Sequence, residues 1–195
     1  ILGNLGDFDP NTDMVADDQL QDIDRYALML ASDLIQKVNQ AYDAFEYHII
    51  YHAIHNFCVV DMSNFYLDVL KDRLYVEKAD SVSRRAAQTT IYKILNALTL
   101  MLAPILAYTA DEIWSYMPHL DGQNPAHAVF NEIPRSALIV ENSALKADWE
   151  QLERVREDVK KALELARTDK VIGASLEAKL TIYADGETYA LLNRL

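Results

Sequence analysis

The sequence predicts a mainly α chain: a helical bundle followed by the beginning of a small α/β module. Three observations lead there. Apolar residues recur at steps of three and four through most of the first 118 positions. Glycine and proline are scarce, five of each in 195 residues, which favours long helices over a strand-and-turn architecture. One short alternating stretch stands near the C-terminus. The boundaries that follow are 1–118 for the bundle, 119–142 for a connecting loop, and 143–195 for a helix plus the truncated module.

The first helix is expected over 17–44. Asp17 would cap it, its carboxylate accepting from free N–H groups of the first turn, and Leu20, Ile23, Ala27, Leu30, Leu34, Val38, Ala41 and Phe45 would form its buried stripe. A second helix is expected over 47–75 on the stripe Ile50, Ile54, Phe57, Asp61, Phe65 and Val69. An acid inside that stripe predicts a bend between Asp61 and Asn64. Ser81 or Ser83 starts the third helix, apolar on most sides from Ile91 onward. Pro104 lacks an N–H and must kink or interrupt it. Thr109 and Glu112 have capping-box spacing, predicting a short helix that runs to Tyr116 and stops before Pro118.

Residues 118–142 sustain no period and read as a long connection, with one extended piece at 128–130. A further helix begins near Ser143 on the stripe Leu145, Trp149, Leu152, Val155, Val159, Leu163 and Ala166, with Gly173 suiting its stop. Residues 178–184 alternate Leu180 and Ile182 with Lys179, Thr181 and Tyr183, the pattern of a half-buried strand, and Asp185-Gly186 turns into a last helix. The chain opens on Ile1 and closes on Leu195 inside an amphipathic stretch, so both ends read as cut.

Composition restricts the function classes. The richest apolar run, 94–108, is interrupted by Asn96, Thr99 and Pro104, short of the roughly 18 residues a membrane span needs. No basic-then-apolar leader is visible. Cys58, the single cysteine, allows neither a disulfide framework nor a CxxC metal site and reads as buried and inert. A soluble cytoplasmic protein, expected as a monomer with no membrane partner, fits these features.

The net charge of −12 argues at first against a polyanionic partner. Its distribution matters more than its total. Residues 1–24 hold seven acids and no base, whereas 71–93 carry Lys71, Arg73, Lys78, Arg84, Arg85 and Lys93 against Asp72, Glu77 and Asp80. Arg84 and Arg85 sit at a helix start, where the macrodipole prefers acids, and a cost accepted there hints at use elsewhere, such as phosphate contact. The bland reading of the same residues is a solvated helix face partly paired to Asp80 and Glu77. Residues 146–170 balance seven acids with seven bases and predict i,i+4 pairs such as Glu157 to Lys161.

Little in the chain suits catalysis. His48, His52 and His55 share one helix face, but Ile49 replaces the acid of HExxH and one helix supplies too few ligands, so no metal is expected. Asp17 and the Thr109–Glu112 pair read as caps rather than acid–base groups. No nucleophile motif or glycine-rich phosphate loop is present, so no catalytic residue is named and the chain by itself is expected to be inactive.

Several motifs nonetheless resemble one family. Residues 100–118, LMLAPILAYTADEIWSYMP, resemble a kinked helix followed by T-A-D-E-[IV]-W late in isoleucyl-tRNA synthetases. SNFYLDVLKDRLY at 63–75, ADSVSRR at 79–85, IGASLEA at 172–178 and the opening LGNLGDFDPNTD are similar to segments of the same family, in the same order. The valyl, leucyl and methionyl enzymes share the bundle but vary the T-A-D-E-I-W and S-L-E-A segments.

The resemblance implies the anticodon-binding helical bundle of a class I aminoacyl-tRNA synthetase, an isoleucine-specific tRNA as partner, and a parent ligase that uses ATP and magnesium. It implies that the H-I-G-H and K-M-S-K-S signatures and the editing domain lie outside this chain. In members that carry a cysteine-rich C-terminal module, zinc would be held there and not here, where no cofactor is expected. Lys71, Arg73, Arg84, Arg85 and Lys93 are nominated as tRNA-backbone contacts, because they form the basic window and the three arginines match family positions. Trp114 fills the family's tryptophan position and is assigned to core packing. Two readings stand against this one: the corresponding region of a valyl or leucyl enzyme, and a helical partner-binding scaffold with no tRNA role.

Overall fold

The computed structural model describes residues 1–194; Leu195, the closing residue of the amphipathic stretch, lies outside them. Ile1–Glu141 and the residues from Asn142 onward form two compact units.

Two long helices make the core of the first unit. Helix α1 (Asp22–Asp43) buries Ile23, Ala27, Leu34, Val38 and Ala41 as the spacing predicts. It also buries Leu28, Met29, Ala31 and Ile35, because neighbours cover it on two sides. Asp17 does not cap it. Residues Asp17–Gln19 form a separate 3-10 turn, and the backbone N–H of Gln21 donates instead to Asp24 one turn inside the helix (3.1 Å).

Helix α2 (Tyr47–Asn56) packs back on α1 and runs into a π-helical segment (Phe57–Tyr66), then short helices α3 (Leu67–Val69) and α4 (Lys71–Tyr75). The bend expected between 61 and 64 falls inside the π segment, and the wider turn corrects the stripe. A bond such as Leu67 N–H to Met62 O spans five residues, so the inward position after Phe57 is Met62 rather than Asp61. Met62, Tyr66 and Leu70 are buried, Asp61 and Cys58 are half-buried, and Val69 faces solvent. Cys58 is thus less enclosed than its apolar surroundings in sequence suggest.

Helix α5 (Val82–Leu102) starts at Ser81, whose hydroxyl accepts from the N–H of Arg84 (3.1 Å). It is buried almost continuously from Ala86 to Met101 against α1, α4 and α6. The chain breaks around Pro104 and resumes as α6 (Ala107–Tyr116). The Thr109 cap does not form. The helix has already begun at Ala107, with the Ala110 N–H bonded to Leu106 O (2.9 Å), so Thr109 lies within the first turn. Trp114 is fully buried and donates its indole N–H to Asn124 O (3.1 Å).

Residues 119–141 lie along the bundle. Asn39 donates to Pro134 O (2.8 Å), and the Leu138 N–H donates to the Ser32 hydroxyl (2.9 Å). At Ala128–Phe130 a 3-10 turn replaces the extended piece expected there. Its local Phe130 N–H to His127 O bond and the Ala128 N–H to Asp111 bond close a turn instead.

In the second unit, helix α7 (Ser143–Thr168) starts at Asn142, whose side chain accepts from the Leu145 N–H (3.1 Å). Lys170 rather than Gly173 takes the left-handed position after its end, with φ +58°. Surface pairing on α7 is at i,i+3, Glu157 with Lys160 (2.8 Å) and Asp158 with Lys161 (3.6 Å), not Glu157 with Lys161. A last helix, α8 (Gly186–Leu192), buries Leu191 and is joined to α7 by a bond from the Gln151 amide to the Thr188 hydroxyl (2.7 Å).

The expected strand at 178–184 does not form. A strand exists by sharing its N–H and C=O groups with a neighbour, and the described residues contain no second strand to pair with. No α/β module is therefore built among the described residues, and Leu180 and Ile182 stay about half exposed.

Candidate nucleic-acid interface

The basic window occupies one end of the bundle, where α4, the start of α5 and the N-terminal segment meet. Arg73 projects from α4 onto Asp24, which is wholly buried at the start of α1. Both terminal nitrogens engage the carboxylate (2.9 and 2.7 Å), and the remaining donors reach the hydroxyl and carbonyl of Ser83 (3.2 and 2.7 Å). Tyr66 adds its hydroxyl to the same carboxylate at 2.7 Å. Burial, followed by the charge of Asp24, pushes the Tyr66 phenol well above its usual range, so it stays a neutral donor.

Arg84 forks onto Asp7 (2.7 and 3.0 Å) and donates to the carbonyls of Leu74 and Ala79. Arg85 donates to Asp7 O and Gln88 (both 2.8 Å), pairs with Asp13 at 3.3 Å and lies 5.9 Å over the Phe8 ring. Gln88, wholly buried, donates to Asn4 O and Asp7 (both 2.8 Å). The Arg84 bond, with the Gln88 bond and the charges of both arginines behind it, holds the Asp7 carboxyl down at about 2 despite partial burial. Lys93 pairs with Asp17 (3.0 Å), and Lys71 pairs with Asp68 (2.7 Å) on the open surface.

The two charge anomalies of the sequence thus answer each other. Two arginines at the start of α5 oppose its dipole, and the Asp7 carboxylate comes from the N-terminal segment to restore a negative group there. Sequence reading missed this partner. The visible signal was a run of seven acids without a base, facing a window of opposite sign.

His48, His52 and His55 lie on the exposed face of α2, with the Tyr51 ring stacked near His55 (5.8 Å) and edge-on to His52 (5.2 Å).

Residues 24–182 match the family described as the anticodon-binding domain of tRNA ligase. The chain belongs to that family. This anticodon-binding domain is similar along its whole length to isoleucine–tRNA ligases of Syntrophotalea carbinolica (51% identical), Bacillus mycoides (46%) and Bacillus cereus (45%). It covers 21% of each of these relatives, about a fifth of their length. No helix among the described residues of the domain is long and apolar enough to cross a membrane.

Proposed function

We propose that this anticodon-binding domain is the tRNA-binding part of an isoleucine–tRNA ligase, with an isoleucine-specific tRNA as its partner. The observation that carries the proposal is the 45–51% identity to isoleucine–tRNA ligases across all 195 residues. The ATP- and magnesium-dependent joining of isoleucine to tRNA belongs, on this proposal, to the rest of the parent enzyme. The domain's share is to hold the tRNA.

Phosphate contact by Lys71, Arg73, Arg84, Arg85 and Lys93 is part of the proposal, and the ion pairs rank them. Lys71 comes first, because a solvent-exposed pair such as Lys71–Asp68 is worth little and its ammonium can turn to a phosphate. Arg73 comes last, because leaving the buried Asp24 would strand a charge.

The test is binding of the 195-residue chain to transcripts of an isoleucine tRNA and of a valine tRNA across a salt series. Preference for the isoleucine transcript is expected. The slope against log salt should be shallow, about one or two units, since most cations of the window already hold carboxylates. Equal affinity for both transcripts, or no binding to either, would overturn the proposal.

A further inference from the structure

Between α1, α2 and the π segment lies a cavity of about 300 Å³ that the fold leaves open. Its floor is apolar: Leu34 and Phe57 are buried, and Leu30 and Ala53 are half-buried beside them. Its polar groups are ordered along the groove. Tyr42 and Tyr47 meet where α1 gives way to α2, with ring centroids 6.1 Å apart. Five residues back from Tyr42 and five on from Tyr47 stand Lys37 and His52, at one end of the cavity. Nine each way stand Asp33 and Asn56, and Asp61 follows one wide turn after Asn56. The groove runs from a basic end at Lys37 to an acidic end at Asp61.

The fold itself does not account for Asp61. The residue is half-buried, forms no ion pair or hydrogen bond among the described residues, and has its carboxyl pushed up to about 6 by burial. Holding an unpaired carboxylate out of water costs free energy. The π turn that puts Met62 in the core puts Asp61 at the groove, and π turns concentrate at functional sites. At the other end the Lys37 ammonium pairs with no acid among the described residues, although Asp33 stands one turn before it on α1. An apolar cavity on which a few unpaired polar groups converge is the usual form of a small-molecule site.

We propose that this groove binds a short apolar peptide with both termini free, its ammonium at Asp61 and its carboxylate at Lys37. The spacing of the charges selects the length. Asp33 to Lys37 alone is a rise of about 6 Å along α1, and Asp61 lies further along the groove than Asp33. A single amino acid holds its two charges about 3 Å apart, too close to reach both ends, whereas each added residue extends the reach by about 3.5 Å. Apolar side chains of the peptide then lie on Leu30, Leu34, Ala53 and Phe57, and Asn56 meets the peptide group between the termini. This ligand is of a different class from tRNA, and the inference does not rest on the tRNA-binding reading.

The experiment titrates the full chain with the dipeptide leucyl-leucine at pH about 7, where Asp61 is ionised and the peptide amine is protonated, and follows backbone amide shifts by NMR. The comparison probes are N-acetyl-leucyl-leucine, leucyl-leucinamide and free leucine. Saturable binding of leucyl-leucine is expected. Acetylation should weaken it about tenfold or more, because the Asp61 end is half-buried, and the amide only about two- to fivefold, because Lys37 is exposed. Leucine should bind as weakly as the acetylated probe. Asp61→Asn should reproduce the loss caused by acetylation and Lys37→Gln the loss caused by the amide, while Lys161→Gln, on α7, should change nothing.

A leucyl-leucine titration that does not saturate would sink the proposal. So would an acetylated probe, or Asp61→Asn, that binds as tightly as the unaltered pair, or leucine that binds as tightly as the dipeptide. Burial already favours the neutral acid at Asp61, so Asp61→Asn should melt no lower than the unaltered chain, and its lost binding then reports the charge and not the fold.

Discussion

Arg73 and Asp24 form a two-pronged ion pair across the bundle, 2.7 and 2.9 Å between their paired atoms, with the carboxylate fully removed from solvent. The pair ties α4 to the first turn of α1, and Tyr66 from the π segment completes it. A buried carboxylate with one charged partner is a point of large mutational leverage, since removing either partner leaves the other unpaired in a low-dielectric setting.

Asp24→Asn should therefore destabilise the chain by about 3 kcal/mol. The double change Asp24→Leu with Arg73→Met, which removes both charges and keeps volume, should recover much of that loss. Urea denaturation of the three variants checks it. A midpoint for Asp24→Asn equal to the parent's would show that the pair does not form.

Asp7 supplies an acid limb to the stability profile. Its carboxyl is held at about 2, below its unfolded value near 3.8, chiefly by the Arg84 bond. A depressed folded value contributes stability above the unfolded pKa and loses it as pH falls through the folded one. Asp7→Asn should cost about 1 kcal/mol at neutral pH, discounted for the exposure of the carboxylate, and the gap to the parent should close as pH falls from about 4 to about 2. Melting curves across that interval test the sign.

Asp61 should behave in the opposite way. Burial within the π segment raises its carboxyl to about 6, so the folded state prefers the neutral acid. Stability linked to it is present below the unfolded value near 3.8 and is lost as pH rises through about 6. Asp61→Asn, neutral throughout, should be more stable than the parent by about 1 kcal/mol at pH near 8 and equal to it near pH 3. A gap that does not change with pH would refute the assignment.

Two helix ends can be relaxed. Phe45 and Lys170 occupy left-handed positions, φ +59° and +58°, each closing its helix with the paired bonds of a Schellman turn. Phe45→Gly and Lys170→Gly should each stabilise by about 1 kcal/mol, and the β-branched Phe45→Val should destabilise. Thermal melts compare them.

Much of this molecule was legible in its sequence because it rests on local rules. The periodicity located α1, α5 and α7, the serines at 81 and 83 bracketed the start of α5 that Ser81 caps, Pro104 forced the break before α6, and motif order along the chain pointed to the family that residues 24–182 match. Each of these depends on neighbours a few residues apart, within reach of helical geometry. What the tertiary structure alone decided involves partners far along the chain. Asp7 meets Arg84 and Asp24 meets Arg73, turning an apparent basic patch into the clasp of the N-terminal segment. The π turn placed Met62 rather than Asp61 against the core, because the inward position depends on what α1 presents. The strand at 178–184 failed for the same reason: alternation is a local property, whereas pairing needs a second strand at hydrogen-bond distance, which no local pattern can supply.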